Sequence, residues 1–527
     1  MVFLNKKNNS AAINSVYLEF IAAFFMLAKM NGIIFENAKN GSLTCSADGK
    51  FLHSKYNPEK EAENYVNSME IKENASYILI TEPCISYIAP EIKKKFKNSK
   101  LAAIRYTHAF DSFNSYFDSI IYVSGKNDAK NISSEIISRI GEKNILTSSF
   151  LRWIPAANAF KETDEAVWNS IKDAVNFSRA SLFTNSYFSK KWFLNSIKNI
   201  VLTENFYRLD RTNLPVLIAA SGRSLEDCLP KIKEERKKIY LMCVSSAASV
   251  LLKYKIIPDL VISTDGGFWA KKHLEALKNH TEIPLALAAE GACPSFLLKK
   301  NPVALLEYSD GFTKKMLDFS GIKLNDAQRN GTVSGTAVEL ALTITEKNIY
   351  ICGLDLHCSK GFQHTRPNRL ELYNARNDTK ISTCETRSVK SELNTSALKI
   401  YEDWFSDKKR NFQGRVFRLS ENFKFNNSLN SIKDVDFDFF CKIEKKAEKL
   451  KPESAVKKIN VEKMSLKNKI HNFSTENSKT EEWMDEFFSA EEFALKNKSN
   501  PDEKREFLEE IHKKNKKFIK KIENLLR

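Results

Sequence analysis

No two cysteines in this chain are spaced C-x-x-C, and the nine present are scattered and odd in number. Neither a disulfide framework nor a zinc site of ordinary spacing is therefore encoded, and reduced thiols in a cytoplasm are the simplest reading. Glycine (16) and proline (13) are scarce in 527 residues, whereas lysine, asparagine, isoleucine and phenylalanine are heavily used. AT-rich coding produces the same bias, so part of the formal net charge of +17 is compositional. The remaining basicity favours acidic partners: nucleotide phosphates, an anionic sugar, nucleic acid or a membrane surface. No RRM, zinc-finger, OB or helix-turn-helix pattern is present, and aromatics do not interleave with a basic stripe, which argues against a nucleic-acid partner.

Long apolar runs are also missing. The nearest approach, FIAAFFMLA at Phe20 to Ala28, is too short to span a bilayer. It follows Lys6 and Lys7, but no small-residue cleavage site comes after it. An amphipathic helix, or a leader translated ahead of a start at Met30, explains it better than a signal peptide. No transmembrane segment is expected, and no internal repeat of fixed period is evident.

The chain is long enough for roughly two to four domains. After Met30, short apolar runs broken by Asn, Gly and Asp suggest strands and a hairpin. Asn57-Pro58-Glu59 reads as a helix start. SYILIT (Ser76 to Thr81), LAAIRY (Leu101 to Tyr106) and SIIYVSG (Ser119 to Gly125) then alternate with helical stretches. Residues 1–160 thus form a smaller N-terminal α/β domain, of which 1–29 are leader or helix. Helical spacing through Trp168, Ile171, Phe183, Trp192 and Ile197 predicts a connector over 161–210. Strand and helix alternate from Pro215, so 211–420 is expected to be a Rossmann-like domain with a parallel sheet. Beyond it, 421–527 is a basic helical C-terminal region with apolar positions from Phe487 to Leu525.

Three constellations in the central domain carry chemistry. In the first, a continuous apolar run from Val216 to Ala220 enters the turn Ser221-Gly222-Arg223-Ser224. Glycine there lets backbone approach a phosphate while amides at a helix N-terminus point at it. Neither G-x-G-x-x-G nor G-K-[ST] is present, so this is no dinucleotide fingerprint and no P-loop. A plain strand-to-helix turn explains it equally well. In the second, the strand opened by Pro258 and Asp259 ends at Thr264-Asp265-Gly266-Gly267. Asp265 would meet a ribose hydroxyl, a sugar or a metal on the edge where open α/β sheets bind ligands, or would simply cap a helix. In the third, Ser334, Gly335 and Thr336 open an amphipathic helix, and the strand Asn348 to Cys352 delivers Gly353, Asp355, His357 and, after a loop, His364 to the same edge.

Together, the turn Ser221 to Leu225, the I-x-PD-x-V-x-x-x-D pattern from Ile256 to Asp265, and SGTAVELAL…NIYICGLDL (Ser334 to Leu356) resemble the MptE-like domain of motility accessory factors. These Maf proteins are flagellin glycosyltransferases. LHSKYNPEKEA (Leu52 to Ala62) is similar to the segment that precedes the domain in that family. The resemblance implies transfer of a nonulosonic acid, of pseudaminic or legionaminic type, from a CMP-activated sugar donor to Ser or Thr of flagellin in the cytoplasm. It places Ser221, Gly222 and Ser224 near the donor phosphate, and Ser334, Gly335 and Thr336 near cytidine or the donor carboxylate. No cofactor is firmly implied, and Mg2+ is left open.

The domain is also similar to bacterial sialyltransferases, which place a catalytic histidine shortly before a helix like Ala397 to Trp404. This chain has no histidine between His364 and His471. The candidates for the general base become His364, His357, Asp355 and Asp265, in that order. Two other readings stay open: the 6-hydroxymethylpterin diphosphokinase activity of archaeal MptE-like proteins, using ATP and magnesium held by Asp265 and Asp355, and a scaffold that binds flagellin or nucleotide-sugar without catalysis.

Overall fold

The computed structural model describes residues 32–129, 132–356, 364–383, 386, 401–402, 404–406, 412–421, 425, 428–429, 431–445, 456–496, 498 and 500–527. The chain divides into two compact units between Thr184 and Asn185. The expectations for Phe20 to Ala28, for a start at Met30, for His357 and for the stretch from Ser388 to Leu398 lie outside the described residues. Within them, no helix is long and apolar enough to cross a membrane.

The first unit holds two sheets. The expected hairpin is β1 (Ile33–Asn37) against β2 (Leu43–Ala47), antiparallel with Phe35 opposite Cys45, and β3 (Lys50–Phe51) extends it. A parallel sheet follows, β4 (Tyr77–Thr81), β5 (Lys100–Arg105), β6 (Ser119–Tyr122) and β7 (Ser149–Arg152), in the order β6-β5-β4-β7. Asn57 caps helix Pro58–Ser68 by accepting from the Lys60 amide at 2.9 Å. The LHS segment is part of the packing: His53 is buried, its Nε2 accepts the Ile85 N–H at 3.1 Å, and Trp153 Nε1 donates to Leu52 O at 2.8 Å. Burial, the largest influence, pushes the His53 imidazole below its ordinary range and keeps it an acceptor.

The second unit is built on β8 (Asn205–Leu209), β9 (Val216–Ala219), β10 (Tyr240–Val244), β11 (Leu260–Ser263), β12 (Leu285–Ala288), β13 (Pro302–Tyr308), β14 (Asn325–Ala327), β15 (Ile349–Cys352), β16 (Val416–Leu419), β17 (Lys433–Val435) and β18 (Val456–Lys458). The order is β17-β16-β15-β9-β10-β11-β12-β13-β8-β18, with β14 also on β13. Every pairing is parallel except β18 on β8. Strands β9 to β12 and β15 are buried at every position, which is why they read as unbroken apolar runs.

The sheet reaches past both ends of 211–420, taking in β8 before it and β17 and β18 after it. The last two are three-residue edge strands, KDV and VKK, with no apolar run to announce them. A 42-residue helix, Lys161–Leu202, stands where a connector was expected. The C-terminal helices include Lys463–Asn477, Glu481–Phe487 and Pro501–Leu526. They join the core through rings: Phe193 and Phe312 meet Trp483 and Phe487, and Phe518 packs on Phe487 at 5.0 Å. Such aromatic pairs contribute about 0.5–1.5 kcal/mol each beyond burial.

Candidate functional site

The chain lays β9 to β13 to one side and then returns to place β15 on the other side of β9. That reversal opens a crevice at the carboxyl ends of β9 and β15, the place where open α/β sheets bind ligands. A cavity of about 710 Å³ lies there, within the range of small-molecule sites. The residues that follow β9, β10, β11, β12 and β15 line it, as does Tyr308 at the end of β13.

The turns after β9 and β15 are zipped together. Ala220 N donates to Cys352 O and Gly222 N to Gly353 O, both at 2.8 Å. A β-carbon at Gly222 would stand 2.5 Å from Gly353 O and 2.6 Å from Asp355 Cγ, so only glycine fits. Gly353 has φ +73°, and a β-carbon there would meet Ala220 O at 2.5 Å. Asp355, buried, accepts from Ser224 N at 2.9 Å and from Ser224 Oγ. The carboxylate thereby braces the turn that carries Gly222.

Three helices of eight residues or more begin at the cavity. They are Leu225–Glu234 behind Ser221 and Gly222, Ser245–Lys253 with Ser245 and Ser246, and Val333–Ile344 with Thr332, Ser334 and Thr336. Their unpaired amides and dipoles make positive ends without a single lysine. Asp265 lines the cavity with Oδ1 accepting the Gly267 N–H at 2.8 Å.

Opposite stand residues the sequence did not mark. Arg329 pairs with Glu290 (2.9 Å) and Asp310 (2.9 Å) and lies over the Tyr308 ring at 4.3 Å. The loop bearing Glu290 is fixed by the end of the long helix. Asn195 Nδ2 donates to Glu290 O, and Asn199 Nδ2 to Ala289 O and Gly291 O. Trp192 lines the wall beside Gly266, where a β-carbon would strike its ring at 2.5 Å.

His364 lines the cavity together with His273. Burial first, then the charges of His364 and Arg369, lower the His273 imidazole to about 4, so it is neutral at neutral pH. His364 Nδ1 is 3.3 Å from Glu371 Oε1, and its backbone N–H donates to the same oxygen at 3.0 Å.

Of the expected residues, Ser221, Gly222, Asp265, Ser334, Thr336, Asp355 and His364 line one cavity. Ser224 and Gly335 do not. Ser224 is buried behind the turn on Asp355, and Gly335 is buried in the helix against Thr332 and Trp404. Both shape the site from behind. The doubled serine after the apolar run YLMCV and the Glu290-Gly291 pair after LALAA repeat the strand-end pattern and were available as signals. Arg329 had none, and Glu371 had only the helix start at Asn368. Among the described residues no group of three His, Cys, Asp or Glu gathers to hold a metal. Both Asp355 oxygens accept from Ser224.

Residues 191–361 match the 6-hydroxymethylpterin diphosphokinase MptE-like family. An uncharacterized protein of Treponema pallidum (strain Nichols) is 31% identical over 283 residues, 54% of this chain and 62% of that protein. A second one from the same strain is 27% identical over 158 residues, 29% of this chain and 27% of the relative. The chain thus spans less than two thirds of the length of the curated relatives it matches. The structure of the Maf glycosyltransferase from Magnetospirillum magneticum AMB-1 aligns with a TM-score of 0.55 at 13% identity, covering 97% of this chain and 94% of that one. The chain therefore has the fold of a Maf glycosyltransferase and carries an MptE-like segment at its switch-point cavity.

Proposed function

We propose that this chain is a glycosyltransferase that moves a nonulosonic acid from a CMP-activated donor to Ser or Thr of flagellin in the cytoplasm. The observation that carries the reading is the convergence of three helix N-termini, Ser221-Gly222, Ser245-Ser246 and Thr332 to Thr336, on one cavity at the switch point. Charge grows on the leaving phosphate as the anomeric C–O bond breaks, and preorganised amides and hydroxyls stabilise it there. The likeness in fold to a solved protein named as a glycosyltransferase, over nearly the whole of both chains, supports it. The intact mass of flagellin from cells lacking this gene tests it. Loss of the sugar mass is expected, and an unchanged glycoform would sink the proposal.

The name of the matching family favours a second reading, pyrophosphate transfer from ATP to a hydroxymethylpterin. Titrating the purified chain with CMP and with ATP separates the two: heat of binding with CMP supports glycosyl transfer, and heat with ATP and magnesium alone supports the kinase.

A further inference from the structure

The described part of the cavity offers one imidazole held by a buried carboxylate. We propose that His364 is the general base for glycosyl transfer and that Glu371 is its positioning residue, an inference that rests on the glycosyltransferase reading above. Residues 364 to 371 are clamped to the phosphate turns. Thr365 N donates to Ser221 O at 2.8 Å, and Thr365 Oγ1 and Arg366 N both donate to Glu226 Oε1, at 3.3 and 3.1 Å. Asn368 Nδ2 donates to Ser246 O at 3.1 Å. The same Asn368 caps helix Arg369–Asn377 by accepting from Leu370 N and Glu371 N. His364 is thus pinned to two of the three anion-holding turns.

The cap fixes Glu371 at the third helical position, where a glutamate ordinarily reaches back toward the cap residue. Here it reaches further, to both the backbone N–H and Nδ1 of His364. The Glu371 side chain is 3% exposed and the His364 side chain 26%. A carboxylate against Nδ1 selects the tautomer that carries its proton there, because the other would set a lone pair against the oxygen. Nε2 then has its lone pair bare, and it has no hydrogen-bond partner among the described residues. In the reaction the acceptor hydroxyl loses its proton to Nε2 as its oxygen bonds to the anomeric carbon. The anomeric C–O bond to phosphate breaks with its electron pair on CMP, and the imidazolium later releases the proton to water. The basic group facing His364 is His273 on helix Phe268–Leu274, which Arg369 also acts on and which stays neutral.

Two measurements on the full chain test this. Transfer from a CMP-nonulosonic acid to flagellin is expected to fall on the order of 10²–10⁴-fold in His364→Gln, with CMP binding by calorimetry retained. Glu371→Gln should lose about 10²-fold or more and Glu371→Asp should recover part of it; equal losses in the two variants would mark a structural role and overturn the positioning role. Nitrogen NMR of [15N]histidine-labelled protein, with the His364 signal assigned by the His364→Gln variant, is expected to report Nδ1–H in the wild type and a mixture of tautomers in Glu371→Gln. An Nε2–H tautomer in the wild type, or full transfer by His364→Gln, overturns the inference. If wild-type protein neither binds CMP nor transfers sugar, the base role falls with the glycosyltransferase reading, and the NMR result separates that failure from failure of the His364–Glu371 pair.

Discussion

Replacing Gly222 by alanine adds one methyl group at a tight point of the cavity wall. Its β-carbon would stand 2.5 Å from Gly353 O, 2.6 Å from Asp355 Cγ and 2.8 Å from Asp355 Oδ2. The φ angle at Gly222 is not left-handed, so the cost is steric and not conformational. The Asp355 carboxylate has a route of escape only by releasing Ser224, and Gly353 O has none, because Gly222 N already holds it at 2.8 Å. The turns after β9 and β15 must therefore part by roughly an ångström to restore van der Waals contact. Overpacking of this kind costs about 1–3 kcal/mol, and loss of the charge-assisted bonds to Ser224 adds about 1.5–3 kcal/mol if the carboxylate swings away. Gly222→Ala is thus expected to lower the urea midpoint by the equivalent of about 1–3 kcal/mol, or about 2.5–6 kcal/mol if Ser224 is released, and to weaken CMP binding at least about tenfold, since 1.4 kcal/mol of misplacement suffices. Urea unfolding followed by tryptophan fluorescence and a CMP titration would read both. An unchanged midpoint together with unchanged CMP affinity would refute the packing described for this turn.

Burial places the folded-state titration of His273 near 4, below the 6.5 of the unfolded chain. Between those values the unfolded state binds the extra proton, so stability is full above pH 6.5, falls as pH drops toward 4, and is flat below. The shift corresponds to about 3 kcal/mol, and His273→Gln should flatten the stability profile of the full chain across that window; an unaltered slope would disprove the burial argument. In the first unit, Arg105 and Glu82 are both fully buried and paired at 3.0 Å, with Arg105 also donating to Cys84 O and Ser86 Oγ at 2.8 Å each. Arg105→Met leaves a buried carboxylate without its cation, which costs about 3–5 kcal/mol. Hydrogen exchange localised to residues 32–184 should rise in that variant while exchange at β9 and β15 stays as in the wild type.

The turn after β9 was legible because the strand announces itself as the apolar run Val216 to Ala220 and Ser221-Gly222 can only be a turn. What Asp355 does was not legible: it sits at the predicted strand end, but its partner Ser224 lies 131 positions earlier, and only the β9–β15 pairing brings them together. Arg329 and Trp192 escaped for a related reason. Each belongs to a stretch with its own local explanation, an irregular loop and an amphipathic helix, and joins the cavity through tertiary packing alone. Glu371 is a middle case. Once Asn368 is recognised as a cap, the helix phase follows and His364 to Glu371 becomes a predictable pair, yet N-R-L-E resembles any other helix start. The edge strands β17 and β18 were invisible because Lys and Asp on a sheet edge look like loop.

The charges in the cavity bear on the choice between the proposed CMP-sugar donor and ATP. Among the described residues three carboxylates line it, Asp265, Glu290 and Asp355, against the single guanidinium of Arg329, itself shared with Asp310. Three helix N-termini, each worth roughly half a charge, bring that balance close to neutral. That supply, spread over separate turns, suits a donor with two single charges held apart, a phosphodiester at one turn and a sugar carboxylate at another. The three phosphates of ATP concentrate about four charges on one short chain. At an effective dielectric of 20, each charge brought within 4 Å of a like charge costs about 4 kcal/mol, so ATP would need a cation to enter beside Asp265 or Glu290. CMP is therefore expected to bind in the presence of EDTA and ATP not to; tighter binding of ATP than of CMP under that condition would mean that the helix ends supply more positive potential than the dipole picture allows, and would return the diphosphokinase reading to first place.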